Sequence, residues 1–294
     1  ALHTRAVHPC STIKIRNNGM RNKNFRRTIQ CVRALFAALI ISSIQQSAAR
    51  ANDSLSLVIQ PIFGMEKTRQ SFQPLAEYLS GVTGKTVEIK TFPNFIAYWN
   101  ETRNAGSHDL ILDAAHFTGY RAKELGFEIL AKVPGTVTYS VVVPETALIL
   151  EVEELVGKKI ATLGPPSMGA AKVSLLFDNP LRQPFIYETE NSEKALDLLF
   201  NDDVDAAIIP TPLVRSLEGV SVVMTTEPSQ HIALSASPRL SAEIRHYIQD
   251  ALIHANSTQQ GRNMLSAIGF EKFESPSKDS YILAADLLQL TDID

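Results

Sequence analysis

One pattern of apolar and polar positions occurs twice along the chain. The first copy, Asn94–Leu112, has helix-spaced apolar residues, a turn, Asp109 and a short apolar run. The second copy, Asn191–Ile209, repeats this order and places Asp205 before its own apolar run. Apolar residues three and four apart predict a buried helix face, and a short apolar run predicts a buried strand. The repeat predicts two similar α/β halves with a cleft between them, where small ligands usually bind.

On either side of the first copy, segments with strand-like spacing of apolar residues alternate with segments with helix-like spacing. An apolar run or a strict alternation predicts strands at Leu55–Ile59, Lys85–Phe92 and Glu128–Val133. Apolar positions at helical spacing predict helices at Phe72–Leu79, ending near Gly81, and at His116–Leu125, ending at Gly126.

The second half continues this alternation. Strands are predicted at Lys158–Leu163, Pro184–Glu188 and Val220–Thr225, with a helix at Met168–Phe177. Two extended runs, Thr136–Pro144 and Gln230–Ser235, are predicted to cross between the halves. Three final helices, around Ala242–Ala255, Gln259–Ile268 and Tyr281–Leu290, are expected to pack on the first half.

Strands that alternate with helices predict an α/β fold with two lobes, each a mixed sheet flanked by helices. We expect one lobe to comprise residues 52–140 and 233–294 and the other to comprise residues 141–232. In such sheets, ligands bind beyond the carboxyl ends of the strands. The loops that this rule selects are Gln60–Lys67, Asp113–Thr118, Gly164–Gly169 and Pro210–Pro212.

The first 51 residues are expected not to belong to the fold. From Met20, a basic stretch leads into the apolar run Ala34–Ile44 and then into small residues ending at Ala51. This order is typical of a secretory signal peptide, and cleavage is predicted near Ala51. A retained anchor is the alternative, but the apolar run is shorter than the roughly 20 residues of a membrane-spanning helix. Residues 1–19 precede this plausible initiator and are interpreted as an upstream extension of the reading frame.

Cleavage would change the charge and the cysteine content. The segment contains nine Lys or Arg and no Asp or Glu, so 19 basic residues would remain against 31 acidic ones, a net charge of about −12. An acidic surface argues against nucleic acid or an anionic membrane as a partner. Cys10 and Cys31 would also be lost, so the exported chain would depend on its hydrophobic core rather than on disulfides.

The sequence contains no recognisable catalytic constellation. A nucleophile elbow, a phosphate-binding Walker loop, a Gly-rich dinucleotide fingerprint and an HExxH helix are all absent from it. Asp113 and His116 could ligate a metal, but a metal site needs three or four ligands. We therefore expect a protein without enzymatic activity, cofactor or bound metal.

Several segments resemble one known family. These are Val156–Ala161, the loop Pro165–Gly169, the Asp-led strands and the tail Gly261–Phe270. They are similar to the periplasmic solute-binding proteins of phosphate, phosphite and phosphonate ABC transporters, which have the type II two-lobed periplasmic binding fold. The resemblance covers nearly all of residues 55–290. It implies that the chain captures a small polar or anionic solute and delivers it to an inner-membrane permease.

The resemblance also suggests where the ligand binds. Members of the family are similar in holding an oxyanion on a Ser-Thr-Ser-Gly loop at a helix N-terminus, where unpaired N–H groups favour negative charge. Here that loop reads Ser167-Met168-Gly169. The family often has a tyrosine in the loop that is Asp113–His116 here, and a histidine whose nearest equivalent here is Asn191. The predicted ligand-binding residues are Phe63, Asp113, His116, Tyr139, Ser167, Met168, Gly169, Asn191 and Thr211.

Structural roles remain open for several of these residues. Ser167 and Asp113 could cap helices instead of, or as well as, contacting a ligand. Met168 could fill a gap in the core, and Thr211 could shape a turn. Asp109 and Asp205 are expected to fix turns. Tyr98 and Trp99 are adjacent in a helix, so only one of them is expected to face the core.

Two functions from different classes are compatible with this pattern. The first is a periplasmic binding protein, predicted to be monomeric, that closes around an oxyanion or zwitterion and passes it to a permease. The second is a sensing protein of the same fold that reports to a signalling partner. An enzyme on this fold is the third and weakest interpretation.

Overall fold

The structure, a computed structural model, describes residues 54–104, 106, 108–179 and 181–291. The predictions made for residues 1–51 lie outside this part of the chain. Among the helices described, none has the length and apolar character required to cross a bilayer.

Five strands form the first sheet, in the order β2–β1–β3–β12–β4. The first three are parallel, whereas β12 runs antiparallel to both of its neighbours. We call this sheet and the helices packed on it the first lobe. Its elements are β1 (Ser54–Ile59), α1 (Met65–Thr83), β2 (Thr86–Lys90), α2 (Phe95–Thr102), β3 (Leu110–Asp113), α3 (Ala115–Glu124), β4 (Glu128–Lys132), β12 (Ala233–Ala236), α7 (Ala242–Ile253), α8 (Gln259–Ala267) and α9 (Lys278–Ala284).

The second sheet has the equivalent order, β8–β7–β9–β6–β10. Here too the first three strands are parallel, and β6 runs antiparallel to both of its neighbours. This sheet and its helices are the second lobe. Its elements are β6 (Tyr139–Pro144), β7 (Lys159–Leu163), α4 (Met168–Leu176), β8 (Phe185–Thr189), α5 (Ser192–Phe200), β9 (Ala206–Pro210), α6 (Thr211–Val214) and β10 (Val220–Thr225). The two-lobed α/β fold predicted from the sequence is therefore confirmed.

The sequence repeat performs the same task in each lobe. Asn94 caps α2 by accepting the N–H of Ala97, and Asn191 caps α5 by accepting the N–H of Lys194. The carboxylate that precedes the third parallel strand then fixes its neighbour: Asp109 accepts the backbone N–H of Ser56 in β1 at 2.9 Å, and Asp205 accepts that of Lys159 in β7 at 2.8 Å. Both aspartates tie adjacent strands together, and neither merely shapes a turn.

Two short strands connect the lobes. β5 (Thr136–Val137) follows β4, and β11 (Ser229–Gln230) follows β10. They pair with each other in antiparallel fashion, apart from both large sheets. Of the crossings predicted at residues 136–144 and 230–235, only Thr136–Val137 and Gln230 lie in this ribbon, and the remaining strand residues belong to β6 and β12 of the two large sheets. The residue limits predicted for the lobes stay a prediction, although Tyr139 and Ser140 pair within the second sheet.

Each lobe has its own apolar core. In the first lobe, Leu57, Leu79 and Leu112 belong to a cluster that extends to α7 and α8. In the second lobe, Val143 and Ile208 pack with residues of α4. Burial of this apolar area is the main contribution to folding. Because each sheet is packed on its own core in this way, each lobe holds the residues that face the other lobe in fixed positions.

The structure corrects three local predictions. Tyr98 and Trp99 are both buried, at 0% and 8% exposure, because α2 is short and Phe117 packs against both rings. Helix α1 begins at Met65, ahead of the apolar face that revealed it, and ends at Thr83, where Gly84 takes a left-handed conformation with φ of 65°.

The final predicted helix also differs from expectation. It divides into α9 and a 3-10 helix, Ala285–Thr291, which contacts both α3 and α4. Leu287 packs against the core of the second lobe, while Leu288 packs on the aromatic cluster of the first. The C-terminal segment therefore contacts both lobes, whereas the sequence placed it on the first lobe alone.

Candidate functional site

A cavity of about 160 Å³ lies between the lobes, at the carboxyl ends of β1, β3 and β9. We call it the cleft cavity. Each of the four loops selected by the strand-end rule contributes to it, as do both strands of the connecting ribbon. Its lining consists of Ile59, Gln60, Ile62, Phe63, Phe72, Leu112, Ala114, Val137, Tyr139, Met168, Pro210, Pro212, Leu213, Gln230, His231, Ile232 and Phe270.

Polar contacts between the lobes close one side of this cavity. The backbone N–H of Ser192, at the start of α5, donates to the carbonyl of Ile62 at 3.0 Å. Glu193 accepts the backbone N–H of Gly64 at 3.3 Å and pairs with Lys67 at 2.6 Å. The ammonium group of Lys67 accordingly lowers the pKa of Glu193. These contacts hold the loop after β1 against the second lobe.

His116 makes a further contact between the lobes. Its Nε2 lies 2.9 Å from the carbonyl oxygen of Pro166, in the loop before α4. Burial lowers the pKa of His116 to about 4, so the ring is neutral at pH 7 and donates from Nε2. His116 is absent from the lining of the cleft cavity. It joins the two walls rather than facing the space between them.

The loop at the start of α4 is built mainly from internal hydrogen bonds. Ser167 is fully buried; its hydroxyl donates to the carbonyl of Leu163 at 2.8 Å and accepts the N–H of Ala170 at 3.1 Å. A Cβ at Gly169 would lie 2.9 Å from Oγ1 of Thr162, so glycine permits the helix to approach β7. Of the three residues predicted here, only Met168 lines the cleft cavity.

Asp113 belongs to a buried network inside the first lobe. It is fully buried and forms an ion pair with Arg121, which is buried as well. Tyr98 donates to the same carboxylate oxygen as Arg121, and Thr118 donates to the other at 2.7 Å. Burial raises the pKa of the Tyr98 hydroxyl, so this group stays protonated and remains a donor. Arg121 could not be assigned to this network from the sequence, because a charged side chain is seldom fully buried.

Of the other predicted residues, some line the cleft cavity and others form hydrogen bonds in the structure around it. Phe63 and Tyr139 line the cleft cavity, one from each lobe. Thr211 instead accepts the hydroxyl of Thr138 at 2.8 Å and lies 2.8 Å from that of Ser140. Asn191 caps α5. The structure thus brings Phe63, Tyr139 and Met168 together and places the remaining predicted residues in the surrounding walls.

The polar residues that line the cavity from the end of β1 and from the second crossing were not among the predicted ligand-binding residues. Gln60 is 7% exposed, and its amide oxygen accepts the N–H of Ala114 at 3.0 Å. Gln230 and His231 follow one another in the second crossing. The sequence did contain a signal for Gln60, because this residue directly follows an apolar strand and therefore lies where the strand-end rule places a ligand. Within the described ranges no cluster of His, Cys, Asp and Glu could hold a metal ion.

Comparison with known proteins decides the family. A family model described as the periplasmic substrate-binding protein of the phosphonate ABC transporter matches residues 57–281. The chain belongs to this family. As a phosphonate-type periplasmic substrate-binding protein, it is the binding component of an ABC transport system and works in the periplasm. This membership confirms the resemblance found in the sequence and favours transport over sensing.

Solved structures support the same fold. PhnD1 from Prochlorococcus marinus, in complex with methylphosphonate, superposes with a TM-score of 0.72 at 10% identity, covering 81% of this chain and 97% of that chain. A binding protein component of an ABC phosphonate transporter from Pseudomonas aeruginosa gives 0.70 at 15% identity, with 80% and 85% covered. A protein from Xanthomonas citri bound to ATP gives 0.64 at 12% identity, with 81% and 97% covered. A search of curated proteins gave no significant sequence match.

Proposed function

We propose that the phosphonate-type binding protein captures one small molecule in the cleft cavity and delivers it to an inner-membrane permease. The observation that carries this proposal is the origin of the lining: Phe63 comes from the first lobe, and Tyr139 and Met168 come from the second. A ligand that contacts both lobes stabilises their closed arrangement and has little affinity for either lobe alone.

The connecting ribbon and the contacts between lobes support a hinge mechanism. Only β5 and β11 link the two large sheets through hydrogen-bonded strands in the part of the chain that the structure covers. Such short element-terminal segments absorb the backbone rotation in hinge closure. Closing brings Glu193 to Lys67 and Ser192 to Ile62. We propose that these contacts form on capture and break on release.

The proposed roles of the predicted site residues follow from their positions. Phe63, Tyr139 and Met168 contact the ligand. Ser167, Gly169, Asp113, His116, Asn191 and Thr211 hold the walls in place through the hydrogen bonds and close packing described above. We further propose that the protein acts without catalysis, as a monomer, and after removal of its signal peptide near Ala51. Its acidic surface would then disfavour nucleic acid.

Native mass spectrometry of protein purified from its own periplasm tests capture directly. We expect a co-purified small molecule in the wild-type protein and its loss in a Phe63→Ala variant, which removes an aromatic ring from the lining of the cavity. Phe63 is only partly buried, so the variant should remain folded. Leu148→Ala is the control, because Leu148 is 93% exposed and lies outside the cleft cavity. Equal retention of the molecule in both variants would contradict the proposal.

A further inference from the structure

The lining of the cleft cavity carries no formal charge. None of its residues, in the part of the chain that is described, is Lys, Arg, Asp or Glu. Its one titratable base is His231, whose Nδ1 accepts the backbone N–H of Ile232 at 2.8 Å. A neutral ring then carries its proton on Nε2, and burial lowers the pKa of His231 to about 4. At neutral pH the cavity offers a bound anion no countercharge.

Three polar groups in or beside the cavity already have partners. The hydroxyl of Ser167 donates to one backbone group and accepts from another. The N–H of Ala114, just before α3, donates to Gln60. Beside the lining residue Phe63, the ammonium group of Lys67 is paired with Glu193. An anion that used any of these three groups would first have to displace an existing bond.

Several neutral donors remain inside the cavity, including the Nε2–H group of His231 described above. The hydroxyl of Tyr139 has no hydrogen-bond partner among the residues described, and burial raises its pKa, so it stays protonated. Gln60 accepts through its amide oxygen, which leaves its NH₂ group as the donor. The rest of the lining is largely aliphatic or aromatic, with Phe63, Met168 and Leu213 among its members. The cavity thus offers apolar surface and a few uncharged hydrogen-bonding groups.

We propose that the cleft cavity binds a small uncharged molecule with an apolar body and one hydrogen-bonding group, in preference to a phosphonate or another oxyanion. Transfer of an unpaired charge into such a site is strongly unfavourable, whereas burial of apolar surface is favourable. A volume of about 160 Å³ suits a single ring, since a cavity of about 150 Å³ accommodates benzene. This inference rests on the proposed function, because it names the ligand class of the same cavity.

Calorimetry with a matched pair of probes tests the ligand class. Benzyl alcohol and benzylphosphonate share a ring and differ in charge, and methylphosphonate and inorganic phosphate complete the anionic set. We expect benzyl alcohol to bind the purified protein at least about tenfold more tightly than any of the three anions, since the anions lack a countercharge. Tighter binding of any anion, or no binding of benzyl alcohol, would overturn the inference.

A charge placed in the lining provides the matched variant. Leu213 lines the cavity and is partly exposed, so Leu213→Arg should be tolerated. We expect this variant to weaken benzyl alcohol binding by about tenfold or more and to strengthen benzylphosphonate binding, because it supplies the missing cation. Leu148→Arg adds the same charge at an exposed site and should change neither affinity. Thermal unfolding of both variants verifies folding, and identical affinities in them would overturn the inference.

The two proposals fail in different ways. If a phosphonate binds and Phe63→Ala abolishes its binding, capture in the cleft cavity stands and only the ligand class is wrong. If benzyl alcohol binds equally well to the wild type, Phe63→Ala and Leu213→Arg, the cavity is not the binding site. The second result would remove the proposed function and, with it, the ligand class assigned to this cavity.

Discussion

At the scale of single residues, the buried pair of Asp113 and Arg121 is the most consequential feature. Both side chains are fully buried, and Asp113 directly precedes Ala114, which lines the cleft cavity. Burial lowers the pKa of Arg121, which reflects the cost of removing its charge from water. The carboxylate offsets this cost. The pair therefore fixes the end of β3 to α3 and keeps the wall in place.

We predict that Asp113→Asn lowers the free energy of unfolding by about 3–5 kcal/mol, because it leaves the buried guanidinium without a countercharge. Urea denaturation monitored by circular dichroism measures this loss. The control is Asp286→Asn, which breaks an ion pair with Lys123 at 3.8 Å between exposed side chains. That change should cost less than about 1 kcal/mol. Similar losses in the two variants would contradict the structural role of Asp113.

Residue environments were predictable from the sequence only where a local rule applied. Ser167 was recognised as a candidate cap because it precedes a helix, and the structure places it there. The burial of Arg121 and the joint burial of Tyr98 and Trp99 depend on Phe117 and on a carboxylate from another element. Such contacts arise from tertiary packing, which a local apolar pattern does not specify.

At the scale of elements, the duplicated unit provides an internal control. Helices α2 and α5 both begin with an asparagine cap, at Asn94 and Asn191. The start of α5 also contacts the other lobe, since Ser192 donates to Ile62. The hydrogen bond of the cap and the ring contacts of Phe95, at the start of α2, lie within the first lobe. One cap therefore supports a helix alone, and the other supports a helix and lobe closure.

We predict that Asn94→Ala and Asn191→Ala each cost about 0.5–2 kcal/mol of stability, because each removes one side-chain cap. Only Asn191→Ala should also weaken ligand binding, since fraying of α5 disturbs the hydrogen bond to the first lobe. Denaturant unfolding measures the first effect, and titration with the ligand identified from the periplasm measures the second. Equal ligand affinity in the two variants would show that the Asn191 cap does not contribute to lobe closure.

At the scale of the whole molecule, the sequence predicted two lobes, two crossings and the loops that surround the cavity. It did not predict the apolar character of the cavity. Phe72, Leu213 and Phe270 are distant in sequence and read individually as core residues, yet they meet at the cleft cavity. A hydrophobic pattern identifies residues that avoid water. Whether they pack against one another or line a cavity depends on how the two lobes approach.

Because of the position of β12, the first lobe depends on a distant segment in order to fold, whereas the second lobe does not. All five strands of the second sheet come from one continuous stretch, residues 139–225, whereas the first sheet has β12 between β3 and β4. Without β12, the facing edges of β3 and β4 lack backbone partners. Completion of the first sheet therefore requires a segment about 120 residues beyond β3, whereas the second sheet needs no strand from outside residues 139–225. Contacts between distant segments form more slowly, so we expect the second lobe to fold first. We expect pulsed hydrogen exchange during refolding to show amide protection in β7 and β9 before β1 and β3, and the reverse order would contradict this sequence of events.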